Sequence, residues 1–142
     1  MNKKNDNIIK KKITLKSTLE EVLEYEKEMV ELLNETKRFT KKLVFQVRLA
    51  FHEAIINIIV HTYKKNPDKK IDVYLLVDDE NIVITIRDYG NPVDIAKIKS
   101  RNLEELKESG LGVHFYKTLM DVVEYSNPED NSGNIIKMIK KI

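Results

Sequence analysis

The chain has 142 residues, enough for a single domain that buries roughly 70% of its unfolded surface without staples. It contains no cysteine, which rules out a disulfide framework and any thiolate metal site. Charged residues make up 34% of the chain yet nearly cancel to +2, and the lysine pairs are scattered, so the composition points to a solvated surface and away from a general nucleic-acid binder.

After Met1-Asn2-Lys3-Lys4-Asn5-Asp6 only two apolar residues, Ile8 and Ile9, precede Lys10-Lys11-Lys12, so no signal-peptide core is expected. No apolar run approaches the roughly 20 residues that span a bilayer, and a soluble, cytoplasmic protein without a membrane partner is expected. Ile9, Ile13 and Leu15 alternate with polar neighbours as a half-buried strand, Lys11 being the exception. Ser17-Thr18-Leu19-Glu20 has the form of a capping box. It opens a helix to about Asn34 with Leu19, Val22, Met29, Leu32 and Leu33 inward. Thr40 can cap a second helix running through Leu43, Val47, Ala50 and Ala54 to about Tyr63, where Asn66-Pro67-Asp68 stops it.

Residues 71–77 and 82–87 are apolar and β-branched around Asp78-Asp79-Glu80-Asn81, which predicts an antiparallel hairpin of central strands with partial cover on both faces. Residues 91–109 are charged, a length of connection commonly used as a functional lid. Ser109-Gly110-Leu111-Gly112 then leads into a helix with Leu111, Phe115, Leu119 and Met120 as its core stripe. Strands at 122–126 and 135–139 close the chain around Asn131-Ser132-Gly133. The expected architecture is α+β: one domain over 1–142, a two-layer sandwich with a mixed, mostly antiparallel sheet covered by helices.

Three polar features interrupt this apolar pattern. At about 3.6 residues per turn, Glu53, Asn57 and His61 fall on one stripe of a helix otherwise filled by Ala54, Ile55, Ile58 and Ile59. Polar groups on so dry a helix must either bond within the protein or face a pocket. Glu53 can act as a general base, and Asn57 offers a neutral oxygen to Mg²⁺, which needs few protein ligands when phosphates supply the rest. His61 is open between a phosphate contact and a hydrogen bond in the core, while His52 and His114 read as exposed or packing residues. Asp88 closes a strand two residues before Gly90, either as a plain turn or as an acceptor for an exocyclic amine such as that of adenine. Gly110 and Gly112 before a helix give either flexible entry or backbone N–H groups for phosphate. No Walker or Rossmann motif, zinc spacing or Ser-His-Asp set is present. Together, and in this order, the three features describe one ATP site.

The order Glu53-Ala54-x-x-Asn57, Asp88-x-Gly90, Gly110-x-Gly112 resembles the N, G1 and G2 boxes of the GHKL ATPases, the superfamily of gyrase, Hsp90, histidine kinases and MutL. EAIINIIVHTY at 53–63, IRDYG at 86–90 and SGLGVHFYKTLMD at 109–121 are similar to the bacterial anti-sigma-factor serine/threonine kinases in particular. The resemblance implies the Bergerat fold with ATP and Mg²⁺ as cofactors. It implies Glu53 as the base that activates a hydroxyl, Asn57 as Mg²⁺ ligand, Asp88 as adenine reader with Gly90 beside it, and Ser109, Gly110, Leu111, Gly112 and Val113 as the phosphate loop. It further implies a sigma factor and a STAS-type anti-anti-sigma protein as partners, a homodimer, and a lid ordered by nucleotide. The alternative is a nucleotide-gated binding module of the same fold without kinase activity, and a ligand-free scaffold is a third reading. The sequence departs from the pattern at Tyr89, where an acidic residue is common, and at Pro92, which replaces the second glycine of the fuller G1 box. Asn134 stands where relatives often carry a hydroxyl. The N-terminal part is too short for the phosphoacceptor hairpin of a histidine kinase.

Overall fold

Strand alternation sets the frame of the computed structural model, which describes residues 8–94 and 118–142. The strands are β1 (Ile9–Lys16), β2 (Lys70–Val77), β3 (Asn81–Asp88), β4 (Val122–Ser126) and β5 (Asn134–Lys141). They form one sheet in the order β1-β2-β3-β5-β4, and every neighbouring pair is antiparallel. The mixed sheet left open by the sequence is thus antiparallel throughout the described residues. One face carries Ile71, Val73, Leu75 and Val77 of β2, Ile82, Ile84 and Ile86 of β3, and Ile136 and Met138 of β5, all buried. The period of two places the alternate residues on the opposite face. There Lys12, Tyr74, Arg87 and Lys137 stand among half-buried Leu76, Val83 and Ile135, and no described helix packs over them. The partial second cover expected of β2 and β3 is therefore missing among the described residues.

Two helices cover the apolar face. Helix α1 (Leu19–Glu35) is capped by Thr18, whose hydroxyl accepts from Glu21 N at 3.3 Å. The cap sits one residue later than the Ser17 box predicts, because Ser17 is buried and donates instead to Asn66 O at 2.5 Å. This register leaves Leu19 52% exposed, contrary to its inward assignment, while Val22, Tyr25, Met29 and Leu33 fill the core. Helix α2 (Lys41–Asn57) begins at Thr40 as expected, the hydroxyl accepting from Leu43 N at 3.1 Å. Its buried stripe is Val44, Val47, Ala50, Phe51, Ala54 and Ile55, and Phe51 meets Tyr25 of α1 with ring centroids 5.3 Å apart.

Helix α2 runs on into a π-helical turn, Ile58–Thr62. Pro67 is not what ends it. The chain leaves the helix through Lys64 and Lys65, both with positive φ, and Lys65 N–H closes back on Ile59 O at 2.8 Å. The continuous Lys41–Thr62 segment is 22 residues long and holds an 18-residue window of mean hydropathy 1.6, enough by length and composition to cross a bilayer although polar residues interrupt every apolar run within it. Here its apolar stripe packs into the core of the domain. Of the helix expected after Gly112, residues 111–117 lie outside the described residues; Met120 is buried and Leu119 packs against the core.

Candidate functional site

The π turn that follows α2 meets the turn after β3, through Thr62 and Tyr63 against Tyr89 and Gly90. Glu53 and Asn57 lie one turn apart on α2, both half-buried, and among the described residues neither side chain has a bonding partner. Their polar atoms are thus not committed to hydrogen bonds among the described residues. The π turn begins at the next residue, with Tyr63 N–H donating to Ile58 O at 2.8 Å, an i to i+5 closure. Such turns hold more residues per revolution and recur at functional sites. A stripe counted at the α-helical period fails beyond Asn57: His61 is exposed, so its reading as a core hydrogen-bonding residue does not hold. His52 is not a free surface residue either. Its Nδ1 lies 2.5 Å from Oε1 of Glu26, a carboxylate only 1% exposed between the two helices, with Arg48 Nε at 3.6 Å from the other oxygen.

Asp88 is 3% exposed at the last position of β3. Burial pushes its carboxyl above the ordinary carboxylate value, opposed by hydrogen bonds from Asn134 and Gly90 and by the charge of Arg87. Both side-chain bonds converge on one oxygen: Gly90 N–H and Asn134 Nδ2 each donate to Oδ1 at 3.0 Å. The Gly90 bond is the Asx turn that the bland reading anticipated. An Asx turn on the surface would leave the carboxylate in water, however, whereas this residue is only 3% exposed.

The helix end is fastened to this turn twice. Tyr63 Oη accepts from Tyr89 N–H at 2.7 Å and donates to Lys70 O at 2.6 Å, and burial raises the phenol to about 12. Gly90 lies so close to the π turn that a β-carbon there would stand 2.3 Å from Thr62 Cγ2. Glycine is thus needed for the approach of α2, in addition to any approach of a ring to the backbone. Tyr89, at the position where the family pattern is acidic, turns to the uncovered face. Its hydroxyl donates to Asp72, and its ring lies between Lys70 Nζ at 4.4 Å and the Arg87 guanidinium at 4.7 Å.

Asn134 is the residue that sequence reasoning underrated. It pairs with Asp88 across β3 and β5, and its amide is spent within the protein. Nδ2 donates to Asp88 Oδ1 and to Asn91 O, both at 3.0 Å. Oδ1 accepts from Val93 N–H at 2.7 Å and Asn127 Nδ2 at 3.2 Å. Gly133 makes this possible: at φ 130° it passes Asp88 so closely that a β-carbon would lie 2.0 Å from Asp88 O. The Gly133-Asn134 pair after a turn was the available signal. Ser109, Gly110, Leu111, Gly112, Val113 and His114 lie outside the described residues, as does most of the charged 91–109 connection.

An antiparallel five-stranded sheet with two helices on one face makes this a two-layer α+β domain, the architecture of the histidine kinase-like ATPases. The chain belongs to the histidine kinase-like ATPase domain family, whose model matches residues 15–140. It is similar to the serine-protein kinase RsbW of Oceanobacillus iheyensis, 30% identical over 112 residues, covering 73% of this chain and 69% of that one. The RsbW of Staphylococcus epidermidis is 33% identical over 103 residues, covering 66% and 65%. The anti-sigma F factor of Heyndrickxia coagulans is 34% identical over 95 residues, covering 63% and 64%. The matched part thus spans about two thirds of these relatives' length. The crystal structure of a SiaB–SiaC complex from Pseudomonas aeruginosa contains a chain of the same fold, with a TM-score of 0.69, 12% identity, and coverage of 97% of this chain and 92% of that chain.

Proposed function

We propose that the protein is a Mg·ATP-dependent serine/threonine kinase that phosphorylates an anti-anti-sigma protein and sequesters a sigma factor. The observation that carries this reading is the double fastening of the α2 end to the Asp88 turn, through Tyr63 to Tyr89 and Thr62 against Gly90. It ties the end of the helical segment that bears Glu53 and Asn57 to the turn after a buried strand-end carboxylate. The kinase names of its relatives support the reaction class, and the anti-sigma F factor supports the partner class. A homodimer in the cytoplasm is the accompanying expectation.

In this reading Asp88 accepts the exocyclic amine of adenine, and Glu53 takes the proton of the incoming serine or threonine hydroxyl. His61 is assigned to the phosphates together with Ser109, Gly110, Leu111, Gly112 and Val113, the phosphate loop that the family resemblance implies. Asn57 presents a hard, neutral amide oxygen that no described residue occupies, which fits Mg²⁺ alongside waters and phosphate oxygens. The cation, when bound, neutralises phosphate charge. Positioning and charge stabilisation supply most of phosphoryl transfer, so one carboxylate and one amide are chemically adequate protein donors. The test is transfer of labelled γ-phosphate to the cognate anti-anti-sigma protein. Glu53→Gln is expected to lower the rate by about 10²–10⁴-fold with nucleotide affinity nearly unchanged. Tight ATP binding and sigma-factor capture, with no transfer to any partner, would replace the kinase by a nucleotide-gated binding module.

A further inference from the structure

We infer that Asn134 is a specificity-determining positioning residue that keeps Asp88 an acceptor and so selects 6-aminopurine nucleotides over 6-oxopurine ones. The inference rests on the reading of Asp88 as the base-binding carboxylate and concerns what fixes its chemistry. The orientation of the Asn134 amide is dictated by four partners: two acceptors, Asp88 Oδ1 and Asn91 O, face one end, and two donors, Val93 N–H and Asn127 Nδ2, face the other. A flipped amide would oppose like with like at all four. Asn134 therefore has no bonding capacity left for a base, and it acts on the ligand only through Asp88.

With Asn134 Nδ2 and Gly90 N–H both donating to Oδ1, that oxygen cannot itself carry a proton directed at either. Any proton on Asp88 must sit on Oδ2. An ionised Oδ2 accepts from a 6-amino group. A protonated Oδ2 instead donates to a 6-oxo group. The protonation state of one buried carboxyl thus sets which purine fits. The groups acting on it are few. Arg87 on β3 and the donors Asn134 on β5 and Gly90 favour the carboxylate, whereas burial favours the acid. Tyr63 at the end of α2 feels the negative charge of Asp88 and of Asp72, and stays neutral. Asn134 is the side-chain donor in this set, so replacing it shifts the balance toward the protonated form.

The experiment compares the wild-type chain with Asn134→Ala and Asn134→Thr. Asp88 is titrated by carboxyl NMR without nucleotide, and ATP and inosine triphosphate binding are measured by calorimetry from pH 5 to pH 8. Asn134→Ala is expected to move the Asp88 titration upward by about one pH unit. It should move the acid limb of ATP affinity by the same amount and improve the inosine-to-adenine preference about tenfold below that limb. Asn134→Thr keeps a donor and is expected to restore much of the wild-type profile. A residue that merely stabilised the fold would weaken both nucleotides equally and leave both limbs in place, and that result would overturn the inference. An unmoved Asp88 titration overturns it without any nucleotide. Absence of wild-type binding to either triphosphate, with the titration moved, would instead remove the reading of Asp88 as a base reader and the selectivity with it.

Discussion

Thr62 Cγ2 occupies the space that a side chain at position 90 would need: a β-carbon built on Gly90 meets it at 2.3 Å, and its next neighbours, Asp88 Oδ1 and Tyr63 Cε1, lie at an ordinary 3.5 Å. One methyl group is therefore the whole obstacle. Gly90→Ala is expected to cost about 1–3 kcal/mol, the usual range for an overpacked site. Thr62→Ser removes that methyl, so the double variant Gly90→Ala/Thr62→Ser should recover most of the loss. Urea denaturation of the four proteins gives the coupling energy, and additive losses would show that the clash is relieved some other way.

The fold was largely legible because each layer repeats its own period. β1, the β2–β3 hairpin, β4 and β5 stand within one or two residues of their sequence boundaries, and Thr40 caps α2 as read. What escaped depended on partners far along the chain. Ser17 looked like a cap but is drawn to Asn66 O, 49 residues on, which passes the cap to Thr18. His61 was placed by a 3.6-residue count that a π turn at Ile58 breaks, and no local signal announces such a turn. The acid–amide pair was legible as an oddity of polarity on a dry helix. The bond between Asp88 and Asn134 was not, because it needs the register of β3 against β5, 46 residues apart.

Asp72 should make the domain acid-sensitive. Burial works to raise its carboxyl, but donation from Thr14 and Tyr89, with the charges of Lys12 and Lys70, outweighs it and leaves the group below its ordinary value of 3.8. A carboxyl lowered on folding contributes stability above the unfolded value, and that contribution is lost as pH falls through the folded value. Asp72→Asn is expected to cost on the order of 1 kcal/mol at pH 7, and the cost should shrink as pH falls below 3.8. A gap between the two proteins that stays constant from pH 7 to pH 2 would contradict the assignment. Tyr89→Phe should narrow the same gap, since it removes one donor.

Glu26 is a second buried carboxylate, and it ties α1 to α2 one residue before Glu53. Glu26→Ala removes the buried member and leaves His52, 31% exposed, to be hydrated, so it is expected to destabilise by about 1–3 kcal/mol. Replacing both members by apolar groups strands neither. Glu26→Leu/His52→Leu should therefore be more stable than Glu26→Ala, and chemical denaturation decides the order. A loss below about 1 kcal/mol for Glu26→Ala would show that the pair contributes little to helix packing.

Asp88 is expected to separate stability from binding. Its carboxyl is raised on folding, chiefly by burial, so the folded chain holds that proton more tightly than the unfolded one. Stability therefore falls as pH rises from the ordinary value of 3.8 through the folded value, and the cost persists at neutral pH. Asp88→Asn removes the charge yet leaves an amide oxygen to accept from Gly90 N–H and Asn134 Nδ2, so at pH 7 it should be at least as stable as the wild type. With that oxygen so committed, the new NH₂ group replaces Oδ2 and faces the adenine amine donor to donor. ATP affinity should fall at least about tenfold, the loss of a hydrogen bond to a charged acceptor. Thermal unfolding and calorimetry on the same sample make the comparison: a variant that melts lower at pH 7 and binds ATP as before would place the raised carboxyl outside base recognition.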